Sequence, residues 1–89
     1  MIKLGRKRPF GVYKDVLVGE ELIRKEGFGQ LILVHFDIYN VGTDVLRLRI
    51  NHSDEIIILN PGEGFQMLEY EVYSCVCLDK GSVQMSGIY

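Results

Sequence analysis

The residues of this 89-residue chain best equipped for chemistry are two cysteines one residue apart, Cys75 and Cys77, and two histidines, His35 and His52. A C-x-C pair can contribute to a zinc or iron site. A tetrahedral site needs four ligands, so a full set would use all four of these residues. On an extended strand, side chains two apart share a face about 6.5–7 Å from each other, too far for a local disulfide. The redox spacing C-x-x-C is absent. The cysteines therefore read as structural, semi-buried thiols, and no metal or cofactor is expected.

The other candidates are weaker as chemistry. His35 and Asp37 lie two apart on one strand face, close enough to couple electrostatically, but no serine stands where a nucleophile elbow needs one. Asn51-His52-Ser53-Asp54 reads as a turn held by side-chain-to-backbone bonds, with too few carboxylates for a calcium loop. Glu63, Glu69 and Glu71 have no partner acid and read as a solvated face. Arg47 and Arg49 form a short basic ladder. It suits a phosphate or carboxylate ligand, and it equally suits pairing with Glu69 and Glu71 on a neighbouring strand, the favoured reading. Gly62-x-Gly64 follows a turn instead of a strand–helix junction, so it is no nucleotide loop. No nucleophile–base or acid–base set assembles, which points away from an enzyme.

The elements that would position these groups are strands. Leu31 to Val41 alternates, with Val34, Phe36 and Ile38 on one face and His35, Asp37 and Tyr39 on the other. Asn40-Val41-Gly42-Thr43-Asp44 makes a turn, with Gly42 free to take positive φ. Val45 to Ile50 alternates again, Leu46, Leu48 and Ile50 inward and Arg47 and Arg49 outward. Ile56 to Leu59 reads as a short buried strand. Asn60-Pro61-Gly62-Glu63 predicts a type II turn. Gln66 to Leu78 predicts one long strand. Its outward set begins with carboxylates and ends with thiols, so the covered face changes near Tyr73, as in a strand that passes from one sheet to another. Asp79-Lys80-Gly81-Ser82 predicts a hairpin loop before a last strand, Val83 to Tyr89. Upstream, Phe10 to Val18 predicts a first strand, and Glu20 to Glu26 is compatible with two helical turns or a short strand around Leu22 and Ile23. Six or seven short strands at roughly ten-residue spacing predict an all-β fold, a small antiparallel β-sandwich of jelly-roll type.

Size and composition bound the rest. Eighty-nine residues make one domain, here residues 10–89 behind an arm of residues 1–9. Hydrophobic residues are 47% and charged residues 25%, which argues against global disorder. Two cysteines outside any disulfide framework fit a reducing compartment. The start MIKLGRKRPF lacks the apolar stretch of a secretory leader, and no apolar run is long enough to span a membrane. The net charge of −2 conceals an asymmetry. Lys3, Arg6, Lys7, Arg8 and Lys14 give residues 1–14 a charge of +5 with no acid, while five basic and twelve acidic residues leave the remainder at −7. Such an arm suits an acidic partner surface or weak nucleic-acid contact, or is simply solvated. Outward tyrosines favour contact surfaces over catalysis. The interface candidates are Arg6, Lys7, Arg8, Phe10, Tyr39, Arg47, Arg49, Tyr73 and Tyr89.

The run from Ile38 to Met67 carries a resemblance. Asn40-Val41-Gly42, the strand Val45 to Ile50, the short strand Ile57-Ile58-Leu59 and the turn Pro61-Gly62-Glu63 resemble the turn grammar of small β-sandwich structural and accessory proteins of tailed bacteriophage particles. The basic arm and the Glu20–Glu26 segment are additions to that pattern. The resemblance implies a virion component: capsid decoration, a head–tail part or a tail or baseplate part. It also implies symmetric oligomers and contacts with other virion proteins, with the arm as a tether. Without a virion, the expected location is the cytoplasm. The alternatives are a protein- or glycan-binding module with a concave patch at Tyr39, Arg47, Arg49 or Tyr73, and a nucleic-acid binder that uses the arm.

Overall fold

The structure, a computed structural model, describes residues 9–25, 29, 30 and 32–89. Among these residues there is no helix, and every strand pairing is antiparallel. The strands are β1 (Pro9–Val16), β2 (Arg24–Lys25), β3 (Gly29–Gln30), β4 (Val34–Asn40), β5 (Leu46–Ile50), β6 (Ile57–Leu59), β7 (Gly64–Met67), β8 (Cys75–Cys77) and β9 (Gly81–Ile88). A four-stranded sheet has the order β1-β9-β4-β7 and a three-stranded sheet the order β6-β5-β8; β2 and β3 form a separate ribbon.

The pairings are nested. β5 pairs with β6 and β4 with β7. Glu21 bridges Val76 of β8, and β1 runs beside β9 from Pro9↔Ile88 to Val16↔Gly81. The described chain thus pairs like one long hairpin closed at residues 51–56, with successive pairs assigned alternately to the two sheets. Both sheets turn their apolar faces to one core. Val16, Phe36, Ile38, Val83 and Met85 come from the larger sheet, and Leu46, Leu48, Ile50, Leu59, Cys75 and Cys77 from the smaller. Period-2 alternation accounts for this directly: in β5 the leucines and Ile50 are buried, while Arg47 is exposed and Arg49 half-buried.

Several local expectations hold. Glu63 N donates to Asn60 O (2.9 Å) with Gly62 at φ +87°, the geometry of a type II turn. The covered face of the Gln66–Leu78 segment does switch: Ser74 and Cys75, adjacent in sequence, are both buried. The last strand forms as β9, and it places Val83, Met85 and Gly87 on one buried face.

Other expectations are corrected. Gln66 to Leu78 is two strands, β7 and β8, in different sheets; Leu68 and Tyr70 between them are exposed, because the chain turns at Glu69, which has φ +55°. Asp79 to Ser82 is no hairpin loop, since β8 and β9 belong to different sheets and the segment crosses between them. The first strand stops at Val16, and Val18 is 70% exposed beyond its end. Ile56 to Leu59 is not a buried strand. β6 is a sheet edge, and Ile58 is 60% exposed beside Arg47. Gly42 has no positive φ. Its role is close approach: a Cβ there would lie 3.2 Å from the Ser82 nitrogen. In the Glu20–Glu26 segment, Glu21 makes its bridge, Leu22 and Ile23 are buried, and Arg24–Lys25 pairs with Gly29–Gln30. Residues 26–28 and 31 lie outside the described residues.

The crossings between sheets are tied down by polar side chains. Asn40 is fully buried; its Nδ2 donates to Asp44 O (2.8 Å) and Leu59 O (2.9 Å), and its Oδ1 accepts from Gly42 N (3.0 Å). Its backbone also accepts from Gly62 N and donates to Glu63 O. Replacing Asn40 with alanine strands two carbonyls and one amide, and should destabilise the protein by about 2–3 kcal/mol. Asn40→Asp should fail similarly, because a carboxylate cannot donate to the two carbonyls. Urea unfolding of the two variants measures both effects.

Candidate functional site

A concavity lies where two sheet edges face each other. Among the described residues, β6 and β7 are consecutive strands at the edges of different sheets, each with a single neighbour. They are joined at one end by the Pro61-Gly62 turn. Toward the other end they bound a cleft of about 740 Å³. Ile50, Ile57, Phe65 and Met67 form its apolar floor, and the last three are only partly buried against the core. Glu55, Glu69 and Glu71 line its rim, together with Tyr70 and Tyr73.

The walls are held by one asparagine. In the turn Ile50-Asn51-His52-Ser53, Ser53 N donates to Ile50 O (2.9 Å), and Asn51 and His52 have φ +52° and +58°. Both central residues are left-handed, as in the I′ turns that suit a hairpin. Asn51 tolerates this conformation well and turns its amide to the far wall. Its Nδ2 donates to Glu71 O (2.9 Å), and its Oδ1 accepts from Tyr73 N (2.8 Å) and Ser74 N (3.2 Å). Tyr73 completes the clamp, its hydroxyl donating to Asn51 O (3.2 Å) and its ring tilted against His52. The described cleft has no lysine or arginine in its lining. With an apolar floor, an acidic rim and two strands at sheet edges, it has the chemistry to accept an extended segment that carries apolar and basic side chains.

The sequence-derived candidates are dispersed. Tyr73 lines the cleft. Tyr39 is on the exposed face of β4, its ring lying directly across Gly64 of β7, where any side chain would overlap it. Arg47 is on the exposed face of β5. These two faces point away from each other, because the opposite faces of both strands enter the same core, so no patch unites Tyr39 with Arg47. Arg49 stands opposite Val76, and its Nε is buried without a hydrogen-bond partner. Tyr89 is half-buried against the core. Phe10 pairs through its backbone with Gly87, and its side chain, like Arg6, Lys7 and Arg8, lies outside the described residues.

The arginine pairing expected with Glu69 and Glu71 is overturned. The neighbours of β5 are β6 and β8, so neither glutamate stands across from it. Arg47 instead makes a bidentate pair with Asp79, Nε to Oδ2 and Nη2 to Oδ1, both 2.9 Å, while Asp79 also accepts from Arg47 N. The hydrogen bonds and charge of Arg47 hold the Asp79 carboxyl below its usual range. Sequence reading missed Asp79 because it appeared to belong to a hairpin loop.

The histidines and cysteines do not converge. Among the described residues, no group of three or more His, Cys, Asp or Glu side chains is arranged to hold a metal ion. His35 is exposed, with φ +54°, where the register of β4 against β9 shifts between Val34 and Asp37. Asp37 accepts from the Ser86 hydroxyl (2.7 Å). Cys75 and Cys77 are buried free thiols. Burial raises both, assisted by the negative charge of nearby acids, and Cys77 is pushed up to about 12. Glu21 is beside them, accepting from Ser74 Oγ (2.6 Å), Cys75 N (2.7 Å) and Ile23 N (3.1 Å). Thiols so placed stay protonated and are poor nucleophiles.

The cleft residues missed by sequence reading are Ile57, Phe65 and Met67. Their apolar character was visible; the gap between the two edges was not. The sequence matches no known family model and no curated protein.

Three outcomes follow from the ionisable groups. The native protein should not react with an aromatic disulfide reagent at about pH 8, and both thiols should become reactive on unfolding. A raised native pKa means stability is intact below the ordinary thiol pKa and falls as pH rises through it toward about 12; a Cys75→Ala/Cys77→Ala variant should show a flatter alkaline loss in urea titrations. Asp79 behaves oppositely: its depressed pKa contributes stability above the ordinary carboxylate range, lost as pH falls through the native value. Asp79→Asn should therefore unfold slightly earlier than the parent at neutral pH, with the difference closing in acid. Exposure and salt screening keep this effect small.

Proposed function

We propose that this chain is a structural assembly module, a small jelly-roll sandwich that works through protein–protein contacts. The virion accessory role implied by the resemblance of residues 38–67 is its best-matched setting. The jelly-roll reading is supported by the nested pairs: β1 with β9, Glu21 with β8, β4 with β7 and β5 with β6. An antiparallel hairpin of four strand pairs, rolled so that successive pairs alternate between two sheets, makes a double Greek key. Glu21 stands where the fourth strand of the smaller sheet would run, on the open side of β8.

The observation that carries the assembly reading is the cleft between β6 and β7. A chain of this size has little core to spare, yet among the described residues Ile57, Phe65 and Met67 are partly uncovered between two sheet edges. Tyr70 lines the same cleft and Leu68 follows Met67 in the chain, both more than half exposed. A contiguous apolar patch at an open edge marks a contact surface. Arg47, the other prominent polar candidate, is already engaged by Asp79, which weakens the case for a ligand site on β5.

Light scattering on the full chain over a range of concentrations tests the reading. The expected mass is a multiple of 10.2 kDa. Leu68→Glu and Tyr70→Glu, both at exposed positions, should shift the mass toward the single chain without loss of fold. A single-chain mass throughout would count against self-assembly.

A further inference from the structure

The chemistry of the cleft selects its occupant. Three rim carboxylates, Glu55, Glu69 and Glu71, surround an apolar floor, and no cation lines the described site. The side chains of Glu69 and Glu71 are exposed, and no described residue pairs with them. Elsewhere on the body, Lys14 is engaged with Glu20 and Arg47 with Asp79. The densest positive charge in the chain is in residues 1–8, Met-Ile-Lys-Leu-Gly-Arg-Lys-Arg, which hold four cations and no acid. The same segment carries Ile2 and Leu4, which share one face of extended backbone. Phe65 and Met67 on β7 are likewise two apart, and both line the floor. Among the described residues β6 and β7 each stand at the edge of their sheet, where a further strand can be added.

We infer that the cleft of one copy receives residues 1–8 of a neighbouring copy. Ile2 and Leu4 lie on the apolar floor, and Arg6, Lys7 and Arg8 meet Glu55, Glu69 and Glu71. The inference rests on the assembly reading above and names its contact. Donation between copies is favoured by the path available to the arm. Pro9 lies at the same end of the larger sheet as the cleft, opposite Ile88, with β9 and β4 between β1 and β7. To reach the cleft of its own copy, the arm must cross three strand spacings, roughly 14 Å, which consumes about four or five extended residues. Those residues include Arg6, Lys7 and Arg8, which would be left over the end of the sheet, away from the acidic rim. A neighbouring copy presents the whole segment. Each copy then both gives and receives an arm, which closes a two-fold dimer or a ring.

Charge reversal on the full chain tests this pairing. One variant carries Arg6→Glu, Lys7→Glu and Arg8→Glu; the other carries Glu55→Lys, Glu69→Lys and Glu71→Lys. Sedimentation should show self-association of each variant alone weakened by at least about tenfold, from like charges brought together. Circular dichroism and cooperative unfolding should match the parent. An equal mixture of the two should associate more tightly than either variant alone, because each reversed arm then meets a reversed cleft and each unchanged arm an unchanged one. An Arg6→Gln/Lys7→Gln/Arg8→Gln variant, altered only outside the described fold, gives the same reading if the cleft variant unfolds: weakened association supports the inference, and unchanged association overturns it. A parent that assembles while both reversals leave its affinity unchanged overturns the inference and leaves the assembly reading intact. Weakened variants whose association does not tighten on mixing also overturn it. A parent that is monomeric at every concentration overturns the assembly reading itself.

Discussion

The structure depends on satisfying the backbone wherever the chain leaves one sheet for the other. A strand within a sheet has ladder partners; a crossing segment at the margin of the core has none, and an unpaired buried amide or carbonyl is costly. This chain meets the constraint with a few short polar side chains. Asn40 ties together the segments that follow β4 and β6. Asn51 ties the segment after β7 to the β5–β6 turn. Glu20 accepts from Leu17 N after β1, and Asp79 accepts from Arg47 N after β8. Without these anchors the alternation of strands between sheets would expose the backbone it needs to bury.

The same arrangement explains where the charged and reactive groups stand. Glu21 uses both carboxylate oxygens on Ser74, Cys75 and Ile23, so it is a structural acceptor for the segment that enters β8. The neighbouring thiols gain nothing from it as nucleophiles; negative charge and burial both keep them protonated. Lys14 and Glu20 close the crossing after β1, and the hydrogen bond from Lys14 holds the Glu20 carboxyl below its usual range. The groups that looked chemical in isolation are largely occupied in holding crossings, which leaves the open edge as the surface with unspent interactions.

That edge is a consequence of topology. Nesting the pairs places β6 and β7, the strands on either side of a tight turn, at the margins of two sheets. Their Pro-Gly turn keeps them close at one end, and the β5–β6 turn with the residue 68–74 segment forms the walls at the other. A lid of further chain would complete the core there. The described residues supply none, and the floor of Ile57, Phe65 and Met67 remains half covered.

Much of the architecture was legible in the sequence. Alternation in residues 34–39 and 46–50 marked the faces that are buried, Pro61-Gly62 marked its turn, and the shift from carboxylates to thiols after Tyr73 marked the change of covered face. Alternation reports which side of a strand is apolar because successive side chains point to opposite faces. It does not report which strand lies alongside, since that depends on contacts between residues far apart in the chain. Tertiary structure therefore decided that β8 and β9 part company, that Arg47 pairs with Asp79 and not with Glu69 or Glu71, and that Leu68 and Tyr70 face outward. It also decided the cleft. Ile57, Phe65 and Met67 have the composition of ordinary core residues, and only the placement of their strands at two facing edges leaves them open to a partner.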